Sequence, residues 1–244
     1  MALTRFRGTH FTGVLLAFVW VAAFGGIIES GPRDKPAKKA GKDPAFAPVK
    51  DDPRLPRVLL IGDSISIGYT AAVRELLAGK ANVHRAPTNC GPTTKGLAEL
   101  QQWLGEQPWD VIHFNWGLHD LRLIEGKHQV PLEAYEKNLR ELVGRLKKTN
   151  ATLIWCTTTP VPPGVAPTFR KSEDVPAYNA AARRVMEENG IEIDDLYSFA
   201  LPRLGEIQLP ANVHFTAEGS RVLAKQVAAS IAKALTARAA KPKQ

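Results

Sequence analysis

Ser64 follows a short apolar run, Val58-Leu59-Leu60-Ile61, through Gly62 and Asp63. A run of that length, closed by a glycine turn and followed by helical spacing, predicts a buried parallel strand entering a helix. Open α/β sheets form their ligand crevice at such junctions. The free N–H groups and dipole of the helix N-terminus favour developing negative charge there, which suits an oxygen nucleophile attacking a carbonyl. A serine in that place also serves as a helix N-cap, so Ser64 needs partners before it counts as a nucleophile. Three further segments offer them: Gly91 in Asn89-Cys90-Gly91-Pro92, the stretch Gly117-Leu118-His119-Asp120, and His214 in Asn212-Val213-His214-Phe215-Thr216. A histidine within hydrogen-bond reach supplies the base that a serine lacks. A glycine lets a backbone N–H approach an oxyanion closely. Together these residues have the logic of acyl transfer.

The elements that must position them alternate in type. Strand patterns are predicted at residues 58–61, 82–85, 111–115, 153–157 and 191–193, and helical patterns at 69–78, 94–104, 132–148, 175–189 and 217–237. Strands alternating with helices predict a parallel sheet covered on both faces. Gly91 and Gly117-Leu118-His119-Asp120 then follow the second and third strands, and His214 directly precedes the last helix. All four sites converge on the carboxyl edge of one sheet.

The charge of the 244 residues sits at the ends. The net +8 divides into +2 for residues 1–28, +3 for residues 29–57 and +4 for residues 233–244, leaving −1 for residues 58–232. A near-neutral domain without a basic stripe argues against nucleic-acid binding. Arg5 and Arg7 precede an apolar run over residues 11–28, which is the order of a secretory signal peptide. The run is also nearly long enough for an N-terminal membrane anchor. The expected location is therefore secreted or periplasmic, with a membrane tether as the alternative. Residues 29–56 carry six prolines and several lysines, and read as an extended, solvated linker. The catalytic domain is expected over residues 57–237 and a basic tail over 238–244. Two cysteines, Cys90 and Cys156, make no disulfide framework; they are either free or paired. No two histidines stand with a carboxylate at zinc-ligand spacing.

Gly62-Asp63-Ser64-Ile65, Gly91, Gly117-Leu118-His119-Asp120 and His214, in that order, resemble the four blocks of the SGNH, or GDSL-type, hydrolase superfamily. The resemblance implies a three-layer α/β/α, flavodoxin-like fold with a five-stranded parallel sheet. It implies a serine esterase that needs no cofactor, with a small-molecule or glycan ester as substrate. Ser64 would be the nucleophile and His214 the base, with the N–H groups of Ser64 and Gly91 as oxyanion donors.

Two positions depart from the family pattern. His119 stands where the family has asparagine; a neutral imidazole still donates one N–H, so it is assigned to the oxyanion hole. Ala211 stands three residues before His214, where the family has the triad aspartate. Asn212, a backbone carbonyl, or Asp194 or Asp195 remain as ways to orient the imidazole. Asp63 is expected to shape its turn and Asp120 to order its loop. Asn115 is expected to line the pocket or cap a strand end, and Trp116 is the candidate platform for substrate. His113 is read as a core or surface residue. An exported protein with an open crevice suits an acetyl ester on an extracellular glycan. The rival reading is a catalytically weak or inactive carbohydrate-binding domain, which the changes at His119 and Ala211 would allow.

Overall fold

The computed structural model describes residues 43–166 and 169–240. The proposed signal or anchor segment and the end of the basic tail lie outside the described residues. Among the described residues, no helix is long and apolar enough to cross a membrane.

Five strands form one parallel sheet: β1 (Arg57–Ile61), β2 (Asn82–Arg85), β3 (Val111–Phe114), β6 (Thr152–Cys156) and β7 (Glu192–Asp194), in the order β2-β1-β3-β6-β7. The middle of the sheet is buried on both faces, which is why β1 reads as a nearly unbroken apolar run and β3 is buried throughout, His113 included. Helices α1 (Ser64–Leu76) and α7 (Ala217–Ala239) pack together on one face. On the other face α2 (Thr93–Leu104), α3 (Leu132–Lys147) and α4 (Asp174–Glu188) pack in sequence. The three-layer α/β/α arrangement expected from the sequence is therefore borne out.

Several boundaries differ from expectation, each for a local reason. Helix α1 begins at Ser64, five residues before the predicted start, because Asp63 caps it: its Oδ1 accepts the Ile65 N–H at 2.9 Å. Asp63, not Ser64, is thus the N-cap. Two-residue strands β4 (Leu123–Ile124) and β5 (Lys127–His128) form a hairpin that the sequence pattern missed. Short helices α5 (Leu196–Ala200) and α6 (Leu204–Ile207) lead to the last loop.

The proposed linker is solvated only in part. From Asp43 onward it packs on the domain: Ala45 is buried, and three hydrogen bonds of 2.9–3.0 Å tie Asp52 and Leu55 to Asn82 at the edge of β2. The folded unit thus extends N-terminal to residue 57. At the other end, Arg238 belongs to α7 and is anchored to Asp110 Oδ1 at 3.2 Å, rather than lying in a tail. Cys90 and Cys156 are both free and buried.

Candidate active site

The strand β1 ends in Gly62 and Asp63, and the first residue of α1 is Ser64. First-turn N–H groups have no intrahelical acceptor, so the Ser64 N–H is placed to meet an anion. The opposite side of the crevice is the loop between α6 and α7. An isolated bridge joins Gln208 to Phe215, the Leu209 N–H donates to the His214 carbonyl at 2.9 Å, and Gln208 Nε2 donates to the carbonyls of Val213 and Pro160, both at 3.1 Å. Gly219 lets this loop sit against α7: a Cβ there would meet the Ile207 carbonyl oxygen at 1.9 Å.

This framing brings His214 Nε2 to 2.8 Å from Ser64 Oγ. Asn212 Oδ1 lies 2.8 Å from His214 Nδ1 and also accepts the His214 backbone N–H at 3.0 Å. One amide oxygen therefore fixes both the loop and the ring. With Nδ1 donating to Asn212, Nε2 is left as the acceptor facing the serine hydroxyl, the tautomer that a general base requires. Ala211 adopts a left-handed backbone with φ of 50°. This turn carries the Asn212 side chain back to the histidine two residues on. Asp194 and Asp195 do not take the triad-acid place. Asp194 is buried, with its Oδ2 3.0 Å from His113 Nε2 and its Oδ1 accepting from Gln226. Asp195 caps α5 and pairs with Arg183. His113 is accordingly a core residue.

The oxyanion side is less open than the sequence suggests. The Gly91 N–H, assigned to the oxyanion, donates instead to Asn89 Oδ1 at 3.0 Å. This is a local side-chain turn of the kind asparagine forms readily, and the N–H reaches an oxyanion only when Asn89 turns away. His119 is differently placed: no side-chain hydrogen bond from a described residue holds its ring. Burial pushes its pKa below the ordinary histidine range; Asp63 opposes this, while Arg170, Arg122 and Lys95 reinforce it. His119 is therefore neutral at neutral pH, able to donate one N–H. Its loop is set by Gly117, whose φ is 152° and where a Cβ would meet Thr158 Oγ1 at 2.1 Å. We expect His119→Ala to lower kcat by about 10²–10³-fold and His119→Asn to recover most of it, as read by steady-state ester hydrolysis.

Asp120 orders its loop, as expected. Its Oδ1 accepts the Thr93 N–H at 2.8 Å and the Thr93 hydroxyl at 2.5 Å, while Oδ2 is buried without a described partner. Burial pushes its pKa up to about 7 from an ordinary 3.8, against the two Thr93 bonds. Between those pH values the folded protein holds a proton that the unfolded chain has released. Stability must fall as pH rises from about 4 to about 7, and the ionised group is carried at a cost above that. Asp120→Asn keeps the acceptor without the charge. It is expected to stabilise the fold by about 1–3 kcal/mol near pH 8 and to flatten this slope, measured by chemical denaturation at several pH values.

Asn115 holds the strand ends together, donating to the Cys156 carbonyl at 2.7 Å, and lines a small cavity. The same cavity is bordered by Asp63, Ile65 and Ser66 from around the nucleophile, by Leu118, by Leu196 and by Thr157, Thr158 and Thr159. Trp116 is not a substrate platform. It is 1 % exposed and its ring turns inward, stacked on Trp103 at 6.5 Å. Gly96 leaves the room for it, since a Cβ there would come within 2.8 Å of the indole.

One residue of the site escaped the sequence reading. Arg85, at the end of β2, is 8 % exposed. Its guanidinium donates to the carbonyls of Gly62, Ala86 and Thr88 at 3.0–3.2 Å and to the hydroxyls of Thr70 and Ser66 at 3.0 and 3.4 Å. It thereby links the turn before Ser64 to the loop that carries Gly91. The only signal was a charge inside a strand pattern.

Residues 60–222 match the GDSL-like Lipase/Acylhydrolase family. No curated protein is significantly similar to the chain in sequence. Among solved structures, a lipase/acylhydrolase from Enterococcus faecalis is similar with a TM-score of 0.64 and 20% identity, over 78% of this chain and 99% of its own. An acetyl xylan esterase is similar with a TM-score of 0.62 and 18% identity, over 72% and 99%. The acetylxylan esterase Axe2 from Geobacillus stearothermophilus is similar with a TM-score of 0.60 and 21% identity, over 72% and 94%. At these identities the structural likeness establishes the fold, and the family match establishes the class. The chain belongs to the GDSL-like lipase/acylhydrolase family of SGNH hydrolases, and is a serine ester hydrolase.

Proposed function

We propose that the protein hydrolyses short acyl esters of an extracellular glycan through an acyl-enzyme on Ser64. The observation that carries this reading is the 2.8 Å contact between Ser64 Oγ and His214 Nε2, with Asn212 on the far side of the ring. Ser64 attacks the ester carbonyl as His214 takes its proton. The tetrahedral oxyanion is met by the Ser64 N–H and the His119 side chain, with the Gly91 N–H joining once Asn89 releases it. His214 then protonates the leaving alkoxide, and the acyl group stays on Ser64. Water, deprotonated by His214, attacks the acyl-enzyme and frees the acid and the serine.

One feature supports a bulky alcohol: His214 and Asn212 are exposed, so the site opens onto solvent where a polysaccharide can lie. The names of two structural relatives, both acetylxylan esterases, fit an acetyl ester. The basic-then-apolar order of residues 5–28 fits export to a secreted or periplasmic location, or tethering at a membrane.

The experiment is a series of acyl esters of one alcohol, from acetyl to octanoyl, together with acetylated xylan. Preference for acetyl, with acetate released from the polysaccharide, is the expected result; no turnover of any ester overturns the reading. The role of Asn212 has its own expected outcome. Asn212→Ala should lower kcat about 10–100-fold, because the ring loses the partner that sets its tautomer, without the full loss of a missing base. Asn212→Asp, which adds a charge to stabilise the imidazolium, should equal or exceed the wild-type rate.

A further inference from the structure

The chain from 58 to 232 has a net charge of −1, yet positive charge gathers at one side of the active site. Arg122 stands just past the oxyanion loop, its backbone N–H donating to the His119 carbonyl at 3.2 Å. Its Nε is buried with no hydrogen-bond partner among the described residues. Arg170 comes from a different segment and braces the same loop, Nε donating to the Leu118 carbonyl at 2.8 Å. Among the described residues no carboxylate makes an ion pair with either guanidinium. Lys95, on the Gly91 side, has its Nζ held by Thr88 Oγ1 at 3.2 Å and the Asn89 carbonyl at 2.9 Å, and it pairs with Glu99 at 3.9 Å. Glu99 offsets Lys95, so the charge left without a carboxylate partner is that of Arg122 and Arg170: Asp63 is the carboxylate that acts on His119 and Arg170, and the Asp120 carboxyl is held toward its neutral form. Buried donors without partners are uncommon in native proteins and call for an explanation.

Phe169 lies against this group. It is 50 % exposed, the Arg122 guanidinium sits over its ring at 5.5 Å, and its carbonyl accepts the Leu123 N–H at 2.7 Å. An exposed ring held beside Arg122, just past the His119 loop, offers the apolar face on which a sugar ring stacks. Guanidinium groups offer planar paired donors that suit a carboxylate or sulfate.

We propose that Arg122, Arg170 and Phe169 form an anion subsite beside His119, which selects acyl esters of an acidic sugar. This rests on the ester-hydrolase reading above and names its substrate class. The sugar stacks on Phe169, its carboxylate or sulfate faces the two guanidinium groups, and its ester is presented to Ser64.

The test separates binding from turnover. Full-length Ser64→Ala is titrated calorimetrically with trigalacturonate, with a sulfated neutral trisaccharide and with xylotriose. An anionic trisaccharide should bind about 10–100-fold more tightly than xylotriose at low salt, and the advantage should shrink as salt is added. The tighter of the two anionic ligands identifies carboxylate or sulfate as the group recognised. Adding Arg122→Gln should abolish the preference, and Arg122→Lys should keep part of it. Equal binding of all three, no binding, or a preference that survives Arg122→Gln overturns the subsite. In parallel, the wild type is assayed on the acetylated forms. Anionic binding without acetate release from any of them would contradict the hydrolase reading and leave the subsite standing. Acetate release with the same KM for neutral and acidic esters would do the reverse.

Discussion

Ser64→Ala is expected to lower kcat for a short acetyl ester by about 10⁵–10⁶-fold while leaving the fold intact. The side chain is half-buried at the start of α1, and its hydroxyl makes one described contact, the 2.8 Å bond to His214. Removing it takes away the nucleophile without opening a core cavity or orphaning a buried group, so Tm should hardly change. His214→Ala should cost nearly as much, since a serine hydroxyl without a base is a weak nucleophile. Because the two act as a unit, the double variant should be little worse than either single one. The residual rate above water should come from the oxyanion donors alone. Steady-state rates for the four proteins, with thermal melts beside them, check each part. Additive losses would mean that the serine and histidine do not work together.

Arg85→Met should be the most damaging change away from the nucleophile, affecting both stability and rate. The methionine roughly matches the arginine stem but makes none of its hydrogen bonds. The carbonyls of Gly62, Ala86 and Thr88 and the hydroxyls of Ser66 and Thr70 all lose a charged donor inside the protein. Leaving buried acceptors unpaired costs more than a hydrogen bond contributes on average. A loss of about 3–5 kcal/mol is expected, or a Tm lower by roughly 10 °C for a domain of this size. The catalytic effect has a separate cause. Arg85 holds the turn before Ser64 and the loop of Gly91 to one another, and a small shift between nucleophile and oxyanion donors is enough to cost about 10²-fold in kcat. Arg85→Lys keeps the charge but offers a compact ammonium in place of a planar fork, so it should recover stability better than rate. Melting curves and kcat for both variants are the measurements, made well below the lower Tm. Rates equal to wild type in a destabilised Arg85→Met protein would reduce Arg85 to a structural role.

The architecture was legible because the central strands β1 and β6 stand out as short apolar runs between helical patterns, and all five strands were placed to within a residue at each end. What escaped was set by contacts rather than by pattern. Ile65-Ser66-Ile67-Gly68 has β-branched residues and a glycine where a helix begins, and only the Asp63 cap makes that stretch the first turn of α1. The hairpin of β4 and β5 is two residues deep on each side, too short for any periodicity. Ser64, His214 and His119 were visible because their order and placement carry a chemical meaning. Asn212 was visible only as one of several ways to orient the imidazole; choosing it required the Ala211 turn that folds its amide back onto the ring. Trp116 was misread because its neighbours in sequence lie at the site, whereas its ring fills the space that Gly96 leaves. Arg85 and the His113–Asp194 pair are charged or polar groups whose partners lie on other elements, and a linear reading does not bring those together.

The most direct test of the account is to stop the full-length protein within milliseconds of mixing with 4-nitrophenyl acetate, digest it, and weigh the peptide that contains Ser64. The acyl-enzyme mechanism predicts that this peptide gains the mass of one acetyl group, that the modification maps to Ser64, and that it appears with a burst of nitrophenolate. In Ser64→Ala both the burst and the acetylated peptide should vanish. Steady turnover by the wild type with no acetyl group on Ser64 at any time, and undiminished turnover by Ser64→Ala, would contradict it.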